Sequence, residues 1–349
     1  MIGPSRARSV ASAGRMSPPA IRRRPLLPVL AGATLILGTR WAGGQQAVQA
    51  ARVGVLYYGP RSNNVTASSG LSLFRERLRE LGHVEGKNLV IDDRYADADS
   101  RRLDELAREL VDSGVDVIVA SALAATSSAR RATSAIPIVM VHAGNPIGAG
   151  LIASLARPGG NVTGTANLPL GAKQLQLIRE VVPGVARLAV LANPTNAGAA
   201  PILADLGDAA RSLAISVVVV EVTRSEDLPK AFAAIRSARP DGLMVLVEPV
   251  IGANRKEIID FAARSRLPAM YDFPGFARAG GLMSYSPRFL DHYALAAEYV
   301  DKILKGAKPA DLPVQQPAKF ELLINSAAAR ELGLAVPRAL LVRADEVIQ

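Results

Sequence analysis

The same order of features occurs twice along the chain, and no other property of the sequence constrains its fold as strongly. The apolar run 53–57 (VGVLY) returns as 188–192 (LAVLA), and 116–120 (DVIVA) returns as 241–247 (DGLMVLV). Ile136-Pro137-Ile138-Val139 is answered by Leu267-Pro268-Ala269-Met270, and Pro158-Gly159-Gly160 by Ala279-Gly280-Gly281. The offsets are 135 residues for Val55 to Val190, 125 for Asp116 to Asp241, 131 for Pro137 to Pro268 and 121 for Gly160 to Gly281. An offset this steady across four landmarks identifies a duplication. Two similar units must face each other, with strands crossing between them.

Within each unit the apolar runs are short, continuous and bounded by turn residues, as in strands buried on both faces of a parallel sheet. Between them lie helical spacings: Leu71, Phe74, Leu78 and Leu81 up to Gly82, then Leu103, Leu106, Ala107, Leu110 and Val111, then 124–132. Strands are expected at 88–95 and 136–141 as well. Alternating strands and helices imply right-handed crossovers, so the predicted class is α/β: two Rossmann-like doubly wound lobes joined by a multi-strand hinge.

At 156–164 (ARPGGNVTG) a helix is expected to end and a strand to begin, because Pro158 lacks an N–H and the Gly pair permits positive φ. Gly148 to Ala153 satisfies GxGxxA, but the first acidic residue beyond it is Glu180, so it reads as a loop entering a helix start and not as a nucleotide fingerprint. The predicted hinge residues are Gly160, Thr163, Gly164, Gly281 and Ser284, with Gly160 as a pivot whose φ freedom serves closure. The predicted division is an export signal at 1–50, lobes at 51–163 and 164–284, and a segment at 285–349 that packs back onto the lobes with a third crossing. In that segment Phe289, Tyr293, Ala296, Ala297, Val300 and Leu304 share one helical face, followed by a strand at 319–324 and a short helix to Leu332.

Charge decides the class of partner once it is located. The formal net charge is +10, but residues 1–50 hold seven Arg and no Asp, Glu or Lys. Without those seven, 34 basic residues face 31 acidic ones, which argues against a surface that tracks nucleic acid. The basic stretch ends Arg22-Arg23-Arg24, an apolar run covers 25–38, and small residues follow to Ala50. This is the layout of a cleavable export signal, with the paired Arg of the twin-arginine type and a small-x-small site at Val48-Gln49-Ala50. The expected location is the periplasm, without stable membrane insertion, as the apolar run is too short for a span. The chain has no Cys, so neither a disulfide nor a lipid anchor on Cys is available.

Catalytic constellations are scarce. The three His residues (83, 142 and 292) stand at unrelated positions, and neither a GxSxG elbow nor a Walker loop occurs. No catalysis, cofactor or metal is expected. In open parallel sheets a ligand sits beyond the carboxyl ends of the strands. That rule selects Tyr57, Tyr58 and Asn63 after the first strand, Ser121 and Ala124 after the third, and Asn145 and Pro146 after the fourth. In the second unit it selects Asn193, Thr195, Glu248, Tyr271, Asp272 and Tyr285. Ser121 also reads as a helix N-cap, and His142 as a hydrogen-bonded residue of the fold or a ligand contact.

Six stretches carry a resemblance: VGVL (53–56), GNPIGAGLIASLARPGGNVTG (144–164), LAVLANPTN (188–196), AGGLMSYSP (279–287), AAEYVDKILKGAKPADLPV (296–314) and KFELLIN (319–325). From Val53 onward the chain is similar to the exported substrate-binding proteins of ABC transporters, in the group that includes tryptophan- and other aromatic amino-acid-binding members. The resemblance implies a type I periplasmic binding fold, a hinge of three crossings, and a monomer that captures a small ligand by lobe closure. It also implies an ABC permease with its ATPase as partners. Relatives commonly carry Asp at the place of Asn145; an Asp there would pair with a ligand ammonium, whereas Asn hydrogen-bonds only neutrally. A ligand-sensing subunit of a membrane receptor and a two-lobed nucleotide-sugar enzyme remain as alternatives.

Overall fold

The computed structural model describes residues 50–59, 65–97, 99–196 and 198–349. The predicted export signal and Asn63 lie outside the described residues.

Strands β1 (Ala51–Tyr57), β2 (Leu89–Tyr95), β3 (Val117–Ser121), β4 (Ile138–Gly144) and β5 (Val162–Asn167) form one sheet in the order β2-β1-β3-β4-β5. All its pairings are parallel, and helices α1 (Val65–Glu80), α2 (Ser100–Asp112) and α3 (Ala122–Ala132) make the crossovers. The apolar runs lie in this sheet because β1, β3, β4 and β5 are buried on both faces, whereas the edge strand β2 is only partly covered. Leu56, Ile118 and Met140 face Leu103 and Leu110 of α2, whereas Val53, Val119 and Val139 face Leu71, Phe74 and Leu78 of α1.

The second half begins with α4 (Gly171–Val181), β6 (Arg187–Ala192), α5 (Ala199–Ser212), β7 (Ser216–Glu221), α6 (Leu228–Ala238) and β8 (Gly242–Val245). It continues through α7 (Pro249–Ala253), α8 (Arg255–Arg264), β9 (Ala269–Tyr271), α9 (Pro274–Arg278) and β10 (Met283–Pro287). The strand order β7-β6-β8-β9-β10 reproduces that of the first sheet, so the sequence repeat is a repeat of topology.

The remaining chain serves both halves. Helix α10 (Phe289–Leu304) returns to the first lobe, where Tyr293, Ala296, Ala297 and Val300 pack beside α1 on the Val53 face of the sheet. The chain at 312–315 then runs along β5: Thr163 Oγ1 donates to the Leu312 carbonyl at 2.7 Å, and Gln315 N donates to the Gly164 carbonyl at 3.0 Å. Strand β11 (Phe320–Asn325) adds to β10 antiparallel, followed by α11 (Ser326–Glu331), α12 (Arg338–Arg343) and β12 (Glu346–Ile348), whose strand pairs parallel with β11. Neither α12 nor β12 is foreseen by periodicity, since both are short and β12 is defined by its pairing alone.

Two local expectations fail. Residues 145–161 contain no helix, so no helix starts after Gly148 or stops at Pro158. Pro146, Gly148, Gly150, Pro158, Gly159 and Gly160 fall too densely for one, as each raises the cost of helical backbone. Strand β5 also stays in the first sheet through Asn167, and β10 in the second through Pro287, a few residues beyond the predicted edges of the lobes.

Candidate functional site

Parallel strands end on one edge of a sheet, and here those edges face each other across a cavity of about 1190 Å³. From the first lobe Tyr57, Tyr58, Ser121, Ala124, Asn145 and Pro146 line it; from the second, Asn193, Thr195, Glu248 and Asp272. Each of these stands at or just beyond the carboxyl end of a strand.

Two of the predicted residues lie elsewhere, by one step of strand register. Tyr271, the last residue of β9, is fully buried and stacks on Phe276 at 4.7 Å, on the α6, α8 and α9 side of the sheet. The cavity is met by the next residue, Asp272. Tyr285 packs toward the α4 and α5 side and stacks on Phe320 at 5.8 Å, whereas its neighbour Ser286 lines the cavity. Successive side chains of a strand point to opposite faces, so a single position decides which one is presented.

The aromatic wall is larger than the Tyr pair foreseen. Phe289, at the first turn of α10, lines the cavity, with its ring 4.4 Å from that of His142 and 5.9 Å edge-on from that of Phe273. In sequence Phe289 shows only as one member of an apolar helical face. Its place in the cavity follows from α10 folding back onto the first lobe.

Ser121 stands at the N-cap of α3, yet its side chain makes no capping bond. The hydroxyl instead meets His142 Nε2 at 3.0 Å and the Tyr293 hydroxyl at 3.2 Å, and Tyr293 also bonds Tyr57. Burial, and then His292, pulls His142 down to about 3, so the imidazole is neutral at physiological pH. Burial likewise raises Tyr57 to about 12. Non-glycine residues with positive φ gather here: Ala122 at 69°, and His142 and Asn145 at 47°. Each costs about 1–3 kcal/mol that the surrounding packing must offset, a pattern typical of ligand sites. Asn145 suits its place for that reason, and its Oδ1 accepts the Gly148 N–H at 3.0 Å to close the turn.

The second lobe supplies acids. Asp272 lines the cavity half-buried, and Oδ1 accepts the Val247 N–H at 2.6 Å. Burial, reinforced by the neighbouring Glu248, raises its pKa to about 7. Glu248 caps α7, accepting the Ile251 N–H at 2.8 Å, and burial raises its pKa too, against hydrogen bonds that include the Asn193 side chain. Asn193 Oδ1 in turn accepts from Thr195 at 2.7 Å. No ion-pair partner stands against either carboxyl among the described residues.

The predicted hinge residues divide by role. Thr163 and Gly164 lie in β5 against the 312–315 passage. Gly164 has φ +121°, and a Cβ there would sit 2.2 Å from the Met140 carbonyl oxygen. Ser284 is buried in β10, while Gly281 admits the Tyr271 ring, which a Cβ would approach to 2.5 Å. Gly160 does not fit its expected part: its φ is ordinary, and a Cβ would meet nothing within 4 Å. The positive φ in that turn belongs to Gly159, at 78°.

Comparison with known proteins adds three relatives and a family. The family described as ABC transporter substrate binding protein matches residues 66–348. The tyrosine-binding protein of Clostridioides difficile (strain R20291) is 26% identical over 261 residues, covering 75% of each chain. A conserved domain protein of Vibrio cholerae superimposes with a TM-score of 0.81 at 28% identity, covering 86% of this chain and all of that one. An ABC domain of Streptococcus pneumoniae in complex with L-Trp gives the same TM-score and coverage at 25% identity. The two-lobed α/β architecture is that of type I periplasmic binding proteins.

Proposed function

We propose a function from one premise: the chain belongs to the ABC transporter substrate-binding protein family. It captures a small ligand in the cavity between its lobes and hands it to an ABC permease driven by an ATPase. The ligand class that suits the cavity best is an amino acid or related amine with a planar apolar body. One observation carries this reading: an aromatic wall of Tyr57, Tyr58, Phe273 and Phe289 shares a cavity with Asp272, an acid that has no cation against it among the described residues. A planar ligand stacks on the rings, and its ammonium stabilises the carboxylate that burial disfavours. Relatives whose names carry tyrosine and L-Trp support the same class.

The protein works by binding and release. The one Ser–His contact at the cavity, Ser121 with His142, is unsuited to general base catalysis, because an imidazole pulled down to about 3 holds a proton too weakly. Ligand contacts to both lobes favour the closed state by the difference in affinity between open and closed forms. Closure then displays a joint surface of the two lobes to the permease. The working location is the periplasm, reached by the signal at 1–50; among the described residues no helix is long and apolar enough to cross a membrane.

Titration calorimetry and thermal shift of the purified protein with amino acids, purines and small carboxylates test the reading. Aromatic amino acids are expected to stabilise it most. Stabilisation by none of these classes would overturn capture of such ligands.

A further inference from the structure

Among the described residues the cavity wall carries three cations, and they are not equivalent. Arg131 is bonded to Asp104, and the exposed Lys256 pairs with Asp260 at 2.7 Å. Arg255 is half-buried and has no carboxylate within 4.0 Å and no hydrogen-bond acceptor among the described residues. Neither Asp272 nor Glu248 forms an ion pair with it. Nor does its own helix compensate it. Arg255 is the first residue of α8, at the positive end of the helix dipole, where a cation is disfavoured.

The guanidinium occupies space that a neighbouring residue leaves open. A Cβ on Gly275 would lie 2.7 Å from the Phe273 ring and 3.2 Å from Arg255 Nη1. Ring and guanidinium therefore share the space above one glycine, and Phe273 itself lines the cavity. A guanidinium without a carboxylate partner gains most from a planar anion, which can accept two parallel N–H bonds.

From this arrangement we infer that Arg255 is the anion-recognising residue of the second lobe: it receives the carboxylate of the ligand and makes the cleft select carboxylates over otherwise identical neutral molecules. The inference rests on the ligand-capture reading above and adds to it a residue that sets specificity. Gly275 acts through Arg255, as a positioning residue.

The test is titration calorimetry with L-phenylalanine, L-phenylalaninamide, 3-phenylpropionate and 2-phenylethylamine on the wild type, Arg255→Gln, Arg255→Lys and Gly275→Ala. Thermal unfolding of each variant verifies that it is folded. The wild type is expected to bind L-phenylalanine about ten-fold or more tightly than its amide, from a charge-assisted pair. Arg255→Gln should abolish that preference by weakening L-phenylalanine and 3-phenylpropionate about ten-fold while changing the amide and the amine less than about two-fold. Arg255→Lys should restore part of the preference, having the charge without the fork. Gly275→Ala should weaken the two carboxylates more than the amide, which loses only the part of its affinity that depends on the Phe273 ring its Cβ also meets. A folded Arg255→Gln protein that keeps the wild-type preference overturns the assignment and leaves ligand capture standing. A wild type that binds none of the four overturns both.

Discussion

Asp272 Oδ1 accepts the Val247 N–H at 2.6 Å, and this bond from the segment after β8 holds an acid at the cavity without a cation among the described residues to balance it. Burial wins over the hydrogen bond, and the pKa rises from 3.8 to about 7. Between those values the folded state holds more protons than the unfolded state, so the Asp272 contribution to stability falls as pH rises from about 4 to about 7. His142 and His292, lowered to about 3 and about 4, have the opposite sign and add stability as pH rises toward 6.5. The difference between wild type and Asp272→Asn isolates the acid. In urea titrations the variant should gain stability relative to wild type between pH 5 and pH 8, and a constant difference would contradict the shift.

The same acid predicts a proton balance on binding. An ammonium ligand placed beside Asp272 should drive its ionisation, so binding at about pH 6 releases protons. Calorimetry in buffers of different ionisation heat should show this release for wild type, and Asp272→Asn should remove it.

Backbone freedom is demanded at Gly164 in β5 and not at Gly160, four residues before it. Gly164→Ala places a Cβ 2.2 Å from the Met140 carbonyl oxygen at φ +121°, and should cost about 3 kcal/mol or more by chemical denaturation. Gly160→Ala meets nothing at an ordinary φ, and should change stability by no more than about 0.5 kcal/mol and leave ligand affinity intact.

Phe289→Ala removes the ring that packs, tilted, against His142 on the cavity wall. The ring is only half-buried, so the loss of stability should be about 1–2 kcal/mol, below that of a core aromatic. Affinity for an aromatic ligand should fall about ten-fold, as one stacking contact is lost, while affinity for an aliphatic amino acid should change less. Equal losses for both ligands would make Phe289 a packing residue alone.

Tyr293→Phe deletes the hydroxyl that ties Ser121 to Tyr57 beneath the cavity. Both partners keep their rings or their bond to His142, so the expected cost is about 1 kcal/mol in thermal or chemical denaturation. A loss near zero would show that the Ser121 hydroxyl is held by His142 alone.

The sequence by itself determined the repeat, and with it the topology. Apolar runs such as 53–57 and 188–192 have only one low-energy use, as strands covered on both faces, and their order in each half dictates the strand order. It also determined which loops reach the cavity, because strand direction follows from chain order, and this places Tyr57, Ser121, Asn193 and Asp272 on the facing edges. Three things were left to tertiary structure. A step of one residue in strand register chose Asp272 over Tyr271 and Ser286 over Tyr285, and that choice depends on which face the helices cover. The return of α10 to the first lobe brought Phe289 beside His142 from 147 positions away, a contact no local pattern encodes. The space above Gly275 fixed where the Arg255 guanidinium rests. Local propensity and periodicity act over a few residues, whereas these contacts are selected by how whole layers pack, so only the folded chain holds them.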